Sequence, residues 1–265
     1  MRGFIRGAAL ALVATLAGGA ATAEICGEDG LCALGDRSYR VLAPEGWDGV
    51  EPLPVLVHFH GWGRTALNVV RNERITGPAA ERRMLLVAPN GLGKSWSFWG
   101  NSLRDVEFLD AVVEDLATRA PIDRSRVILS GFSYGGAMVW RVACHRGGSY
   151  AGYLPIAGGL WSDHPNDCDG GPARVIHVHG LRDTVMRPPL GDTAATQDDM
   201  LLWRRANNCA RAPDIEESLG RFDCRFWRRC DAGGEAGLCL IRGGHRIPRD
   251  WLSLALGRLL GQQGS

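Results

Sequence analysis

Short apolar runs recur along the chain, most of them closed by glycine or proline. "SYRVLAP", "PVLVHFH" (Pro54 to His60), "MLLVAP" (Met84 to Pro89), "RVILSG", "GYLPIAG" (Gly152 to Gly158) and "RVIHVHG" (Arg174 to Gly180) are rich in β-branched and aromatic residues, which predicts strands. They lack clean alternation of apolar and polar positions, as expected of strands covered on both faces in a parallel sheet. Between them the period changes. Val106, Leu109, Val113 and Leu116 form one apolar stripe at helical spacing, stopped at Ala120-Pro121. Further helices are predicted from about Thr196 to Asn208 and from about Arg249 to Leu260. Strands alternating with helices require crossover connections, so the expected architecture is α/β, a mostly parallel central sheet with helices on both faces. No linker, repeat or low-complexity run divides the chain. The stretch from Cys209 to Leu240 is cysteine-dense and helix-poor, and reads as an insertion stapled by disulfides.

The N-terminus departs from this pattern. Arg2 and Arg6 precede the apolar "AALALVATLA", and Ala21-Thr22-Ala23 has the form of a signal-peptidase site. The apolar part is short for a bilayer span. Residues 1–23 are therefore expected to be a signal peptide and residues 24–265 a single domain, secreted or periplasmic and without membrane insertion. All eight cysteines follow the predicted cleavage point: Cys26, Cys32, Cys144, Cys168, Cys209, Cys224, Cys230 and Cys239. An even count in an exported chain predicts disulfides, and no CxxC spacing favours a metal. Closeness in sequence favours Cys26–Cys32 and leaves the other pairings open. With 265 residues, 45% of them apolar, the chain can bury a sizeable core. Its formal net charge of +1 argues against a nucleic-acid partner or an anionic membrane surface.

One turn carries chemistry. Gly131-Phe132-Ser133-Tyr134-Gly135 matches G-x-S-x-G and falls between a predicted strand, "RVIL", and a predicted helix, "AMVWRVAC". A serine presented from so tight a turn needs glycines two before and two after, where a Cβ would clash. The turn lifts the Ser133 hydroxyl above the sheet's C-terminal edge and puts the Tyr134 N–H at a helix N-terminus, where negative charge is favoured. A serine hydroxyl attacks a carbonyl only when an imidazole takes its proton. Downstream lie His145, His164, His177, His179 and His245. His145 ends the predicted elbow helix, and His177 and His179 share one face of a predicted strand. His245, in the glycine-rich "CLIRGGHRIP", is the candidate base. Asp183, just past the strand ending at Gly180, is the candidate acid to orient that ring; Asp192, Asp198 and Asp199 are its rivals. A second oxyanion donor is expected in "HFHGWGRTA", with Trp62 the candidate amide and Gly61 its alternative. His58 and His60 are expected to shape that turn.

These motifs, HGWG, "DVEFLDAVVEDL", "PIDRSRVILSGFSYGGAM", "HVHGLRDTV" and "RGGH" in that order, resemble the exported esterases grouped as polyhydroxybutyrate depolymerase-like and feruloyl esterase-like α/β-hydrolases. The resemblance runs from about Tyr39 to His245. It implies an α/β-hydrolase fold, a Ser133–Asp183–His245 triad, and hydrolysis of carboxylic esters through an acyl-enzyme, with no metal or cofactor. It also implies a Cys144–Cys168 disulfide. Departures are the "RGGHRIPRDW" histidine loop, where relatives commonly carry "GGGHTWPG", and Trp62, where relatives often carry cysteine. The implied partner is a small or oligomeric ester, either of hydroxyalkanoate or of feruloyl and other aryl type. An exported peptidase or acyltransferase with the same triad, and a non-catalytic binding module on this fold, are the alternatives. Of the nine tryptophans, Trp140, Trp203 and Trp251 fit helical core positions. Trp62, Trp96, Trp99 and Trp161 follow strands, at the edge where α/β sheets bind ligands. Trp96, Trp99 and Trp161 are the candidate substrate-binding residues, "SWSFWGN" forming an aromatic wall.

Overall fold

The computed structural model describes residues 25–27, 29–97, 100, 102–159, 168–188 and 199–261. The predicted signal peptide, Trp99, Trp161, Asp192 and Asp198 lie outside them. The described residues build one ten-stranded sheet. In chain order its strands are β1 (Leu31–Leu34), β2 (Arg37–Leu42), β3 (Leu53–Phe59), β4 (Leu85–Pro89), β5 (Ile122–Phe132), β6 (Gly152–Ile156), β7 (Arg174–Gly180), β8 (Ile215–Leu219), β9 (Phe222–Trp227) and β10 (Glu235–Ile241). Across the sheet they run β1-β2-β4-β3-β5-β6-β7-β10-β9-β8. The centre, from β4 to β10, is parallel, and β1, β2, β9 and β8 pair antiparallel at the two edges.

Helices α1 (Ala66–Val70), α2 (Glu73–Glu81) and α6 (Trp251–Gly261) cover one face; α3 (Arg104–Arg119), α4 (Tyr134–Arg146) and α5 (Asp199–Ala206) cover the other. The strands explain why. Along β3, Val55, Val57 and Phe59 enter the core beneath α3 and α4, while Leu56 enters the core beneath α1, α2 and α6. Every residue of β3, β4 and β6 is buried. The stripe read from Val106 to Leu116 is the buried side of α3, and Trp140, Trp203 and Trp251 are core residues.

One expectation needs correction. Residues Cys209 to Leu240 are no insertion: they supply β8, β9 and β10, and β10 pairs in parallel with β7 in the middle of the fold. The helices α1 and α2, unforeseen in the sequence, occupy the stretch after β3; α2 carries Pro78 in its interior, which hides its helical character. Four disulfides, Cys26–Cys32, Cys144–Cys168, Cys209–Cys230 and Cys224–Cys239, staple the described residues. Cys224 and Cys239 are opposed residues of β9 and β10. Among the described residues no helix is long and apolar enough to cross a membrane.

Candidate active site

Ser133 stands between the end of β5 and the start of α4 with φ 58° and ψ −119°, a backbone shape costly for any residue with a side chain. The neighbours that permit it are packed without room. A Cβ on Gly131 would lie 2.3 Å from the Gly135 carbonyl oxygen, and one on Gly135 would lie 2.0 Å from that of Phe59. The second glycine thus serves a contact with β3 as much as the turn itself. The Ser133 N–H donates to the Ile156 carbonyl at 2.9 Å, anchoring the turn to β6.

Two loops from adjacent strands converge on this serine. After β7 and after β10 the chain is laced together: the Leu181 N–H donates to Ile241 O at 2.9 Å and the Arg182 N–H to Gly243 O at 2.8 Å. Gly180 permits that approach, because a Cβ there would sit 2.5 Å from Gly243 O. The result brings together side chains far apart in sequence. His245 Nε2 is 2.9 Å from Ser133 Oγ, and His245 Nδ1 is 2.7 Å from Asp183 Oδ2. Phe132 packs against the His245 ring, centroids 4.8 Å apart. The other carboxylate oxygen, Asp183 Oδ1, accepts the Val185 and Met186 N–H groups, both at 2.9 Å. Burial alone would raise this carboxyl, but the Met186 amide, the His245 ring and the Val185 amide outweigh it and hold the acid below its ordinary range.

Behind the acid lies a histidine pair. His179 Nε2 donates to Met186 O at 2.9 Å and sits 3.3 Å from Asp183 Oδ2. Its Nδ1 therefore accepts from His177 Nε2 at 2.9 Å. Burial pushes both rings below their ordinary pKa and keeps them neutral. The sequence placed these histidines on one face of a strand without showing that they reach the acid.

The turn after β3 faces Ser133 from the other side. A Cβ on Gly61 would lie 3.7 Å from Ser133 Cβ. Trp62 is 69% exposed on the cleft rim, its ring 6.4 Å from that of Tyr134, the first residue of α4. His60 locks this turn: Nδ1–H donates to Gly61 O at 2.9 Å and Nε2 accepts the Gly91 N–H at 3.0 Å, while burial keeps the ring neutral. Here one expectation is corrected. Trp96 forms no substrate wall; it is 1% exposed, donates from Nε1 to His60 O at 2.8 Å and packs edge-on to Phe59. Its loop is pulled inward because buried Asp105 accepts the Ser97 N–H and pairs with Arg37. Trp96 thus supports the turn from below.

A cleft of about 650 Å³ opens over Ser133 and His245. Its apolar lining includes Trp62, Val69, Ile75, Phe132, Val185 and Ile247, and buried His58 lies in its wall. A hollow of similar size, about 640 Å³, between α2 and α6 holds charges of both signs and lies away from the serine. Among the described residues no group of three or more His, Cys, Asp or Glu side chains could hold a metal ion.

No protein-family model matches the chain. In sequence it is 30% identical over 174 residues to feruloyl esterase C of Emericella nidulans, a match covering 63% of this chain and 62% of the relative. It is 29% identical over 189 residues to a probable feruloyl esterase C of Aspergillus niger, covering 67% of this chain and 68% of the relative. The chain therefore spans less than two thirds of the Emericella protein. Among solved structures, the acetyl xylan esterase from Aspergillus awamori superposes with a TM-score of 0.64 at 12% identity, over 83% of this chain and 94% of that one, a likeness of fold.

Proposed function

We propose that this chain, a feruloyl esterase-like α/β-hydrolase, hydrolyses carboxylic esters with Ser133 as nucleophile, His245 as general base and acid, and Asp183 as the group that orients and charges the imidazole. The observation that carries the reading is the continuous contact from Asp183 through His245 to Ser133, at 2.7 and 2.9 Å, opening on an apolar cleft. With Nδ1–H bound to the carboxylate, His245 Nε2 is left to accept the serine proton. Ser133 Oγ then attacks the ester carbonyl, and the developing oxyanion is received by the Trp62 and Tyr134 backbone amides, the latter at the N-terminus of α4. Collapse of the adduct breaks the acyl–oxygen bond, and His245 gives its proton to the departing alcohol. Water, deprotonated by the same ring, releases the acid and restores the serine.

The names of the relatives favour feruloyl and other aryl esters, and the cleft's Trp62, Phe132, Val69 and Ile75 suit an aromatic or short apolar acyl group. Hydroxyalkanoate oligomers are the competing substrate. Four disulfides and the N-terminal leader pattern support an exported protein, whose residues 24–265 form one domain. The test is a panel of methyl ferulate, hydroxybutyrate oligomers and a p-nitrophenyl ester, with Ser133→Ala alongside. The expected result is turnover by the wild type, abolished in Ser133→Ala, with the far-UV spectrum of both proteins the same. Turnover retained by Ser133→Ala would overturn the mechanism, and a preference for hydroxybutyrate oligomers would overturn the aryl assignment.

A further inference from the structure

Three histidines line the cleft, and two of them are committed. His60 bonds through both nitrogens to the backbone that shapes its turn, and His245 through both to Ser133 and Asp183. His58 is different. It is 1% exposed, and its Nδ1 has no hydrogen-bond partner among the described residues. A buried polar atom in that state costs stability unless something in its surroundings answers it. Among the described residues, no other side chain with such an atom lines the cleft.

Strand geometry fixes where the ring lies. Alternate residues of a strand share a face, so His58 stands beside Leu56 on the side covered by α1, α2 and α6. It pairs in register with Ser130 of β5, three residues before Ser133, which sets it about 10 Å of chain below the nucleophile. Val69 of α1, Ile75 of α2 and Ile247, which line the cleft with it, are buried, whereas Trp62 and Val185 are exposed. The cleft therefore runs from an open mouth at Ser133 to a buried apolar end where an imidazole stands unanswered. Burial brings that ring's pKa down to about 3 and keeps it neutral, so it offers a donor and an acceptor in place of a charge.

We propose that His58 is a specificity-determining residue, which hydrogen-bonds a hydroxyl carried at the far end of an aromatic acyl group. This rests on the esterase reading and deepens it. A para-hydroxycinnamoyl group has an alkene and a whole ring between its carbonyl and its hydroxyl, and so reaches the depth of His58. A hydroxybutyryl group carries its hydroxyl close to the carbonyl and does not. An acyl group of the same shape that ends in a methyl group enters the same space and leaves the imidazole unanswered. The neutral hydrogen bond it forgoes is worth roughly tenfold in binding.

The experiment compares methyl 4-hydroxycinnamate with methyl 4-methylcinnamate, in which a methyl group replaces the hydroxyl, for the wild type, His58→Leu and His58→Asn. Selectivity is the ratio of the two kcat/KM values, and the esters' intrinsic reactivity cancels when the ratios of two proteins are divided. p-Nitrophenyl acetate, whose acyl group is too short to reach His58, reports esterase competence separately. The expected selectivity for the hydroxy ester is about tenfold greater in the wild type than in His58→Leu, and His58→Asn, whose amide lies near the place of Nδ1, should retain most of it. The wild type alone gives a second readout that needs no variant to fold: free 4-hydroxycinnamate should inhibit p-nitrophenyl acetate hydrolysis about tenfold more tightly than 4-methylcinnamate. Equal selectivity in the wild type and His58→Leu, equal losses in His58→Asn and His58→Leu, or equal inhibition by the two acids overturns the proposal. If p-nitrophenyl acetate is cleaved and neither cinnamate ester is, the proposal fails and the esterase reading stands. If the wild type cleaves none of the three, the esterase reading falls, and this proposal with it.

Discussion

Asp183→Asn separates charge from shape at the candidate acid. The side chain is buried, with Oδ1 receiving two backbone amides and Oδ2 receiving His245 Nδ1–H at 2.7 Å. An asparagine keeps its carbonyl oxygen on the Val185 and Met186 amides, so its NH2 must face His245. The ring can satisfy that donor only by accepting at Nδ1, which moves its proton to Nε2 and turns the base away from its task. The imidazolium that forms during attack also loses the carboxylate beside it. Two unit charges about 4 Å apart at an effective dielectric near 20 interact by about 4 kcal/mol, and at 1.36 kcal/mol per tenfold this predicts a roughly thousandfold fall in kcat. KM should change little, because the acid does not line the cleft. The assay is steady-state hydrolysis of a p-nitrophenyl ester, with near-UV circular dichroism to show intact packing. A well-folded Asp183→Asn protein within tenfold of wild-type kcat would refute the assigned role.

Three further outcomes follow from the same contacts. His179→Ala leaves the Met186 carbonyl without its donor and loosens the loop that aims Asp183; a fall in kcat of about tenfold with KM nearly constant is expected, as for loss of one buried hydrogen bond, and a change confined to KM would contradict it. Stability should decline on acidification before the carboxylates titrate: burial drives His58 down to about 3 and lowers His60, His177 and His179 below 6.5, so these rings take up protons on unfolding. Each such group costs up to about 1.4 kcal/mol per pH unit below the unfolded value, and a melting temperature constant from pH 7 to pH 5 would refute this. Asp183, depressed in the folded state, adds a second loss at lower pH, beginning near the ordinary carboxylate range. Gly135→Ala puts a methyl group 2.0 Å from Phe59 O and 2.8 Å from His60 O; the elbow must separate from β3, so the variant should be destabilised by several kcal/mol or fail to fold, and wild-type melting would show that the contact yields easily.

The parts of this fold legible in the sequence are those where local pattern and tertiary role agree. The apolar runs of β3, β4, β6 and β7 announce strands because both faces are buried, and α3 announces itself because one face is. Ser133 stands out through its flanking glycines, and Asp183 and His245 through loops that follow β7 and β10. Other features depend on partners remote in sequence. "IEESL" does alternate between half-buried and exposed positions, and "FDCRFW" between buried and exposed ones, as antiparallel strands covered on one face should, but the cysteines around them drew the segment toward an insertion. Trp96 sits in a stretch without periodicity, and its ring faces the core through contacts remote in sequence, its own bond to His60 O and the Asp105 bond to the Ser97 amide. No pattern in "HVHG" reveals that His179 reaches the acid, because the bend that returns Met186 and Asp183 over the strand is set by bonds across loops.

Taken together these contacts close a ring. Ser133 immediately precedes α4, and seven residues later the helix presents Trp140, whose ring lies 5.6 Å from that of His177. His177 donates to His179, His179 holds the bend at Met186 and borders Asp183, and Asp183 holds His245, which returns to Ser133. The nucleophile and the acid are therefore placed by one helix and one strand that touch each other in the core, and not by two independent loops. Polar residues in the middle of an otherwise apolar strand cost stability unless each finds a partner. In β7 the link from His177 to His179 runs along the strand and ends on the acid, so the polar residues of this strand are the means by which the core aims the site.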